Sequence, residues 1–63
     1  MKVFIERENK HLELEAKTGE ELLSKLNINF EEVILLKNNT VALLEESLSD
    51  SDEVKILSVI SGG

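Results

Sequence analysis

The chain has 63 residues, 41% of them hydrophobic, and thirteen acidic side chains against seven basic ones give a formal net charge of −6. That length allows one small core and no second domain, and so short a chain buries only about 60% of the surface its unfolded form exposes. The absence of cysteine excludes disulfides, thiolate zinc sites and iron–sulfur clusters. Six scattered lysines amid excess acid give no basic footprint for nucleic acid, and an acidic surface more readily meets a basic protein surface. There is no long apolar run and no basic–apolar leader at the start, so an intracellular, cytoplasmic protein is expected, with neither nucleic acid nor membrane as partner.

In chain order, Lys2 to Arg7 (KVFIER) has strand composition, with Val3 and Ile5 on one face and Lys2, Phe4 and Glu6 on the other. Glu8, Asn9 and Lys10 form a polar break, with Asn9 suited to a left-handed turn position. His11 to Ala16 then alternates, Leu12, Leu14 and Ala16 inward, so the two runs predict a hairpin. Thr18 and Glu21 have capping-box spacing, each side chain accepting from the other's backbone N–H, and open a helix. Leu22, Leu23 and Leu26 form the apolar stripe of that helix, and Asn27 ends it. Ile28 and Phe30 are expected to tuck under the helix end.

Val33 to Lys37 (VILLK) is a strand apolar on both faces. Asn38, Asn39 and Thr40 supply a turn, Val41 to Leu44 a short returning strand, and Glu45 to Asp52 a flexible acidic loop anchored by Leu48. Glu53 to Ile60 is the last strand, with Val54 and Ile56 on one face and Lys55 opposite. The order is β-β-α-β-β-β. One helix covers one face of a small mixed sheet, and the simplest closed arrangement lays it diagonally there, with the first and last strands parallel at the centre. The expected fold class is therefore α+β, a β-grasp with a four- to five-stranded mixed sheet. Residues 1–60 make the domain and 61–63 a flexible Ser-Gly-Gly tail. The far face keeps Phe4, Leu57, Val59 and one apolar phase of Val33 to Leu36 uncovered, a contiguous group of the kind that marks a docking surface.

The chain ends SVISGG. With the β-grasp order, the length and the turn at Lys37 to Thr40, the ending Asp52-Glu53-Val54-Lys55-Ile56 through Ser61-Gly62-Gly63 resembles the ubiquitin-like sulfur carriers, the ThiS and MoaD group. The resemblance spans essentially the whole chain. It departs in one place, since carriers commonly have Gly-Asp before the last strand and this chain has Ser51-Asp52. Ubiquitin shares the fold and the terminal diglycine, but its tail is basic where this one is apolar.

What the resemblance implies is chemistry at a terminus rather than at a side chain. The carboxylate of Gly63 is adenylated by an ATP-dependent, E1-like adenylating enzyme and converted to a thiocarboxylate. The sulfur comes from a persulfide donor protein and passes to an acceptor synthase such as a thiazole synthase. Thiamine-type carriage is favoured, with molybdopterin synthesis and tRNA thiolation open. The chain binds no cofactor of its own, since ATP belongs to the activating enzyme, and it acts as co-substrate rather than enzyme. Gly62 and Gly63, lacking Cβ atoms, let the tail enter a narrow channel as an extended strand. Ser61, Ile60, Val59, Leu57 and Phe4 are the implied partner-binding residues.

Two other readings of the same tail are a ubiquitin-like modifier joined through Gly63 to lysines, and a non-catalytic binding module using the open face. Elsewhere the pattern points to no chemistry. His11 is the only histidine and reads as solvated face rather than metal ligand. Asp50 and Asp52 lack the glycine and terminal glutamate of a calcium loop.

Overall fold

The computed structural model describes residues 1–59. Strand β1, Lys2–Ile5, pairs antiparallel with β2, Lys10–Glu13. Between them lies a 3-10 turn, Glu6–Glu8, closed by Asn9 at φ 50, whose N–H donates to the Glu6 carbonyl at 3.0 Å. The expected first strand therefore stops two residues short of Arg7, because the reversal takes those residues. The second also ends early, at Glu13 instead of Ala16. The Leu14 N–H still donates to the Met1 carbonyl, one step past the last paired residues, Lys2 and Glu13. Leu12, Leu14 and Ala16 nevertheless pack on the core, as their alternation requires.

Helix α1, Gly19–Leu26, is capped by Thr18, whose hydroxyl accepts from the Glu21 N–H at 3.2 Å. The reciprocal bond is displaced by one residue: the Glu21 carboxylate accepts from the Lys17 N–H at 2.7 Å, not from that of Thr18. Asn27 ends the helix in the left-handed region at φ 59. Leu22 and Leu23 are buried, and Ile28 packs at the helix end, where its N–H donates to the Leu23 carbonyl. Phe30 does not follow it: it opens a second 3-10 turn, Phe30–Glu32, and is 54% exposed. That turn carries the ring off the core.

Strand β3, Val33–Lys37, is joined to β4, Thr40–Ala42, by Asn38 and Asn39, at φ 51 and 69. Two successive positive φ values are what a two-residue hairpin turn of the primed type needs, and asparagine tolerates them. Strand β5, Glu53–Ser58, lies parallel to β1 and antiparallel to β3, giving the order β2-β1-β5-β3-β4. This is the expected β-grasp, with all five strands present. Val3, Ile5, Leu35, Val54 and Ile56 turn toward Leu22 and Leu23 to form the core. The proposed boundary between domain and tail at residues 60 and 61 lies outside the described residues.

The loop before β5 is better fixed than its composition suggests. The Leu48 N–H donates to the Lys17 carbonyl at 2.8 Å, and Ser47 bridges Thr18. Among the described residues no helix is long and apolar enough to cross a membrane.

Candidate functional site

Register decides which side chains share the face away from α1, because directly paired residues project to the same side of a sheet. The partners of Phe4 are His11 on β2 and Lys55 on β5. Lys55 in turn faces Leu36, Leu57 faces Ile34, and Leu36 faces Val41. Phe4 and Leu57, expected on this face, are there and half-buried. The open phase of β3 is settled as Ile34 and Leu36, since Leu35 is buried beneath the helix. Ile34 at 40% and Val41 at 66% are the exposed apolar members on the strands.

Sequence reading missed Val41, although the two-residue Asn-Asn turn fixes it: once Lys37 faces Thr40, Leu36 must face Val41. It also missed that His11 is not merely solvated. Its ring lies 4.5 Å from that of Phe4, tilted by 33°. Beside the two rings a shallow depression of about 440 Å³ runs past Lys2 and Lys55 to the Asn38–Asn39 turn.

The charged residues on this face are Lys2, Lys55, Glu13 and Glu53. Two lysines balance two glutamates on the strands of this face, so the excess acid lies elsewhere than on those strand positions. An apolar centre with a balanced polar rim has the composition of a protein interface.

At one end of the sheet β5 carries the chain toward its tail. The Val59 N–H donates to the Glu32 carbonyl at 3.0 Å, extending the β3–β5 pairing one step past Ser58. Glu32 also lies 3.9 Å from Arg7, both side chains well exposed. Val59 thus stands at the root of the tail and is half-exposed. The expected site residues Ile60, Ser61, Gly62 and Gly63 lie outside the described residues.

At the other end, side chains tie the acidic loop to the β3–β4 turn. Asn38 Nδ2 donates to Asp52 Oδ1 at 3.0 Å, and Asn38 Oδ1 accepts from the Glu53 N–H at 3.0 Å. The Ser49 N–H donates to Asp52 Oδ2 at 2.8 Å, and with Asn38 it holds the Asp52 carboxyl below its ordinary range. Lys37 Nζ meets Glu46 Oε2 at 2.9 Å, which raises the lysine's pKa and lowers the glutamate's. These contacts build the loop.

The family model of the ThiS family matches residues 2–63. No curated protein matches the chain. The match covers all five strands and the helix and runs through the diglycine ending, which the fold alone does not specify. Carriers of this family work in general with E1-like enzymes and synthases. On that match the chain belongs to the ThiS family, small sulfur-carrier proteins rather than catalysts.

Proposed function

We propose that this chain carries sulfur as a thiocarboxylate on Gly63 and delivers it in thiamine-type cofactor synthesis, with a thiazole synthase as acceptor. The observation that carries the reading is the extent of the family match, which reaches Gly63 itself. A free carboxylate is a poor acyl donor because its leaving group would be oxide. Attack of a Gly63 carboxylate oxygen on the α-phosphorus of ATP releases pyrophosphate and leaves an acyl-adenylate. The terminal sulfur of a persulfide then attacks the acyl carbon and AMP departs. Reduction of the resulting S–S bond by a thiol frees the thiocarboxylate. The chain supplies the reacting carboxylate and a tail without obstructing Cβ atoms at its last two positions. It also supplies the open sheet face for docking, with Phe4, Leu57 and Val59 among the contact residues. Ser61 to Gly63 act as a flexible tail beyond a domain of residues 1–60.

Intact mass of the protein from its own host, before and after alkylation at neutral pH, tests this. The expected result is exchange of one oxygen for sulfur, followed by alkylation of a chain that has no cysteine. An unmodified mass after incubation with ATP, an activating enzyme, a persulfide donor and a reducing thiol overturns the reading, and isopeptide conjugates on larger proteins replace it with the modifier reading. Deleting Gly63, or capping it as an amide, should abolish activation and leave the fold intact.

A further inference from the structure

The two lysines and two glutamates of the open face are not evenly mixed. Lys2 stands between two carboxylates, directly opposite Glu13 on β2 and Glu53 on β5. Lys55 stands between two apolar side chains, Phe4 on β1 and Leu36 on β3, in the central strand of the sheet. Side chains directly opposite each other are about 5 Å apart at Cβ, so the neighbours of Lys2 offset its charge and those of Lys55 do not. Among the described residues the ion pairs are Arg7–Glu32 and Lys37–Glu46, and the exposed Lys55 belongs to neither.

Lys55 also lines the depression beside the Phe4 and His11 rings, together with Lys2 and Glu53. Two ammonium groups against one carboxylate make that hollow locally positive, on a chain whose formal charge is −6. The Asn38 side chain at its edge is already engaged with Asp52 and the Glu53 N–H. The charge left unmatched there is the ammonium of Lys55. When a partner covers the apolar side chains around it, that ammonium loses water. A charge desolvated without a counter-charge opposes docking strongly, whereas one met by a carboxylate does not.

We propose that the depression is a socket for one aspartate or glutamate of the activating enzyme, with Lys55 as the residue that selects for it. This rests on the carrier reading above and names the chemistry of its partner, an apolar patch with a carboxylate set in it. A surface that presents a cation or only apolar groups at that point is rejected, because it leaves Lys55 covered and unpaired. The long-range field of the chain and its central contact thus ask for opposite signs. That separates basic proteins in general from the one that fits.

Titration calorimetry of the full chain with its activating enzyme tests this, and Lys55→Met is the deciding variant. Methionine keeps the apolar length of lysine without its charge. Its Kd should rise at least about tenfold, because the enzyme's acid is then covered without a counter-charge. Lys55→Gln should weaken binding as much, and Lys55→Glu should weaken it further. Lys55→Arg, which keeps the charge, should stay within about threefold of wild type. Lys17→Met, beside α1 and off the open face, changes the net charge equally and should leave Kd within about twofold. Thermal melting of the Lys55 variants should match wild type, since the side chain is exposed. Should Lys55→Met melt early, Lys55→Gln decides by the same measure. Unchanged or tighter binding by Lys55→Met overturns the proposal, since the lysine would then only impede an apolar contact. So does an equal loss in Lys17→Met, which would reduce the effect to net charge. A wild-type chain that neither binds the enzyme nor supports ATP–pyrophosphate exchange fails the carrier reading, and the socket with it. A wild type that does both, with Lys55→Met its equal, fails the socket alone.

Discussion

A Cβ placed on Gly19 would lie 2.5 Å from Leu35 Cδ1 and 3.3 Å from the Leu44 carbonyl oxygen. The first turn of α1 is packed that closely on the sheet, and the Glu20 N–H donates to the same Leu44 carbonyl at 2.9 Å. Gly19→Ala should gain up to about 1 kcal/mol of helix propensity but force the buried Leu35 side chain to move, an overpacking that costs about 1–3 kcal/mol. A net loss of about 1 kcal/mol is expected in urea denaturation, and an unchanged midpoint would show that Leu35 rotates away freely. Sequence reading had no handle on this glycine, because its neighbours come from strands and loops far along the chain. The asparagines were easier. Asn9, Asn27, Asn38 and Asn39 are the described non-glycine residues with positive φ, each at a break between apolar runs. Phe30 misled for a related reason: a large aromatic residue after a helix reads as core unless the turn that carries it away is known.

Among the elements, the loop from Glu45 to Asp52 depends on ionised carboxylates. Asp52 accepts from the Ser49 N–H and Asn38, and Glu46 from Lys37 and the Leu43 N–H, so the pKa of each falls on folding. A carboxylate with a folded pKa below its unfolded one contributes stability that is present above the unfolded value and lost as pH falls through the folded one. Thermal stability should therefore drop as pH is lowered below about 4, and Asp52→Asn should flatten that slope. An unaltered slope would place the acid sensitivity elsewhere. The raised Lys37 has the opposite sign, with stability lost only as pH rises through its folded value, beyond the ordinary lysine range. The helix, the strand order and the inward residues other than Phe30 were legible, because period and capping residues are local signals. The loop was not, since Ser49, Asp52 and Asn38 meet only after β5 is in place, and composition alone suggests a free acidic segment.

At the scale of the whole molecule, the excess acid and the apolar face lie apart. The field of the molecule favours a basic partner at a distance, but the open face is electrically balanced on its strands, so for the docking proposed above salt should slow association more than it weakens the complex. Raising ionic strength from about 50 mM to about 500 mM should change Kd for the activating enzyme less than about threefold. Leu57→Glu should weaken the same complex at least about tenfold with little loss of folding stability, as titration calorimetry and thermal melting would show. Clear unfolding of that variant would mean that Leu57 belongs to the core. The order of the sheet has a further consequence for how the protein is made. The strand that carries the tail is the last of the five to be synthesised, yet it occupies the middle position, between two hairpins that have no contact through the sheet without it. A nascent chain lacking β5 has two hairpins whose strands do not pair with each other, joined only through the helix they pack on. The sheet therefore closes only when its last-made strand is in place.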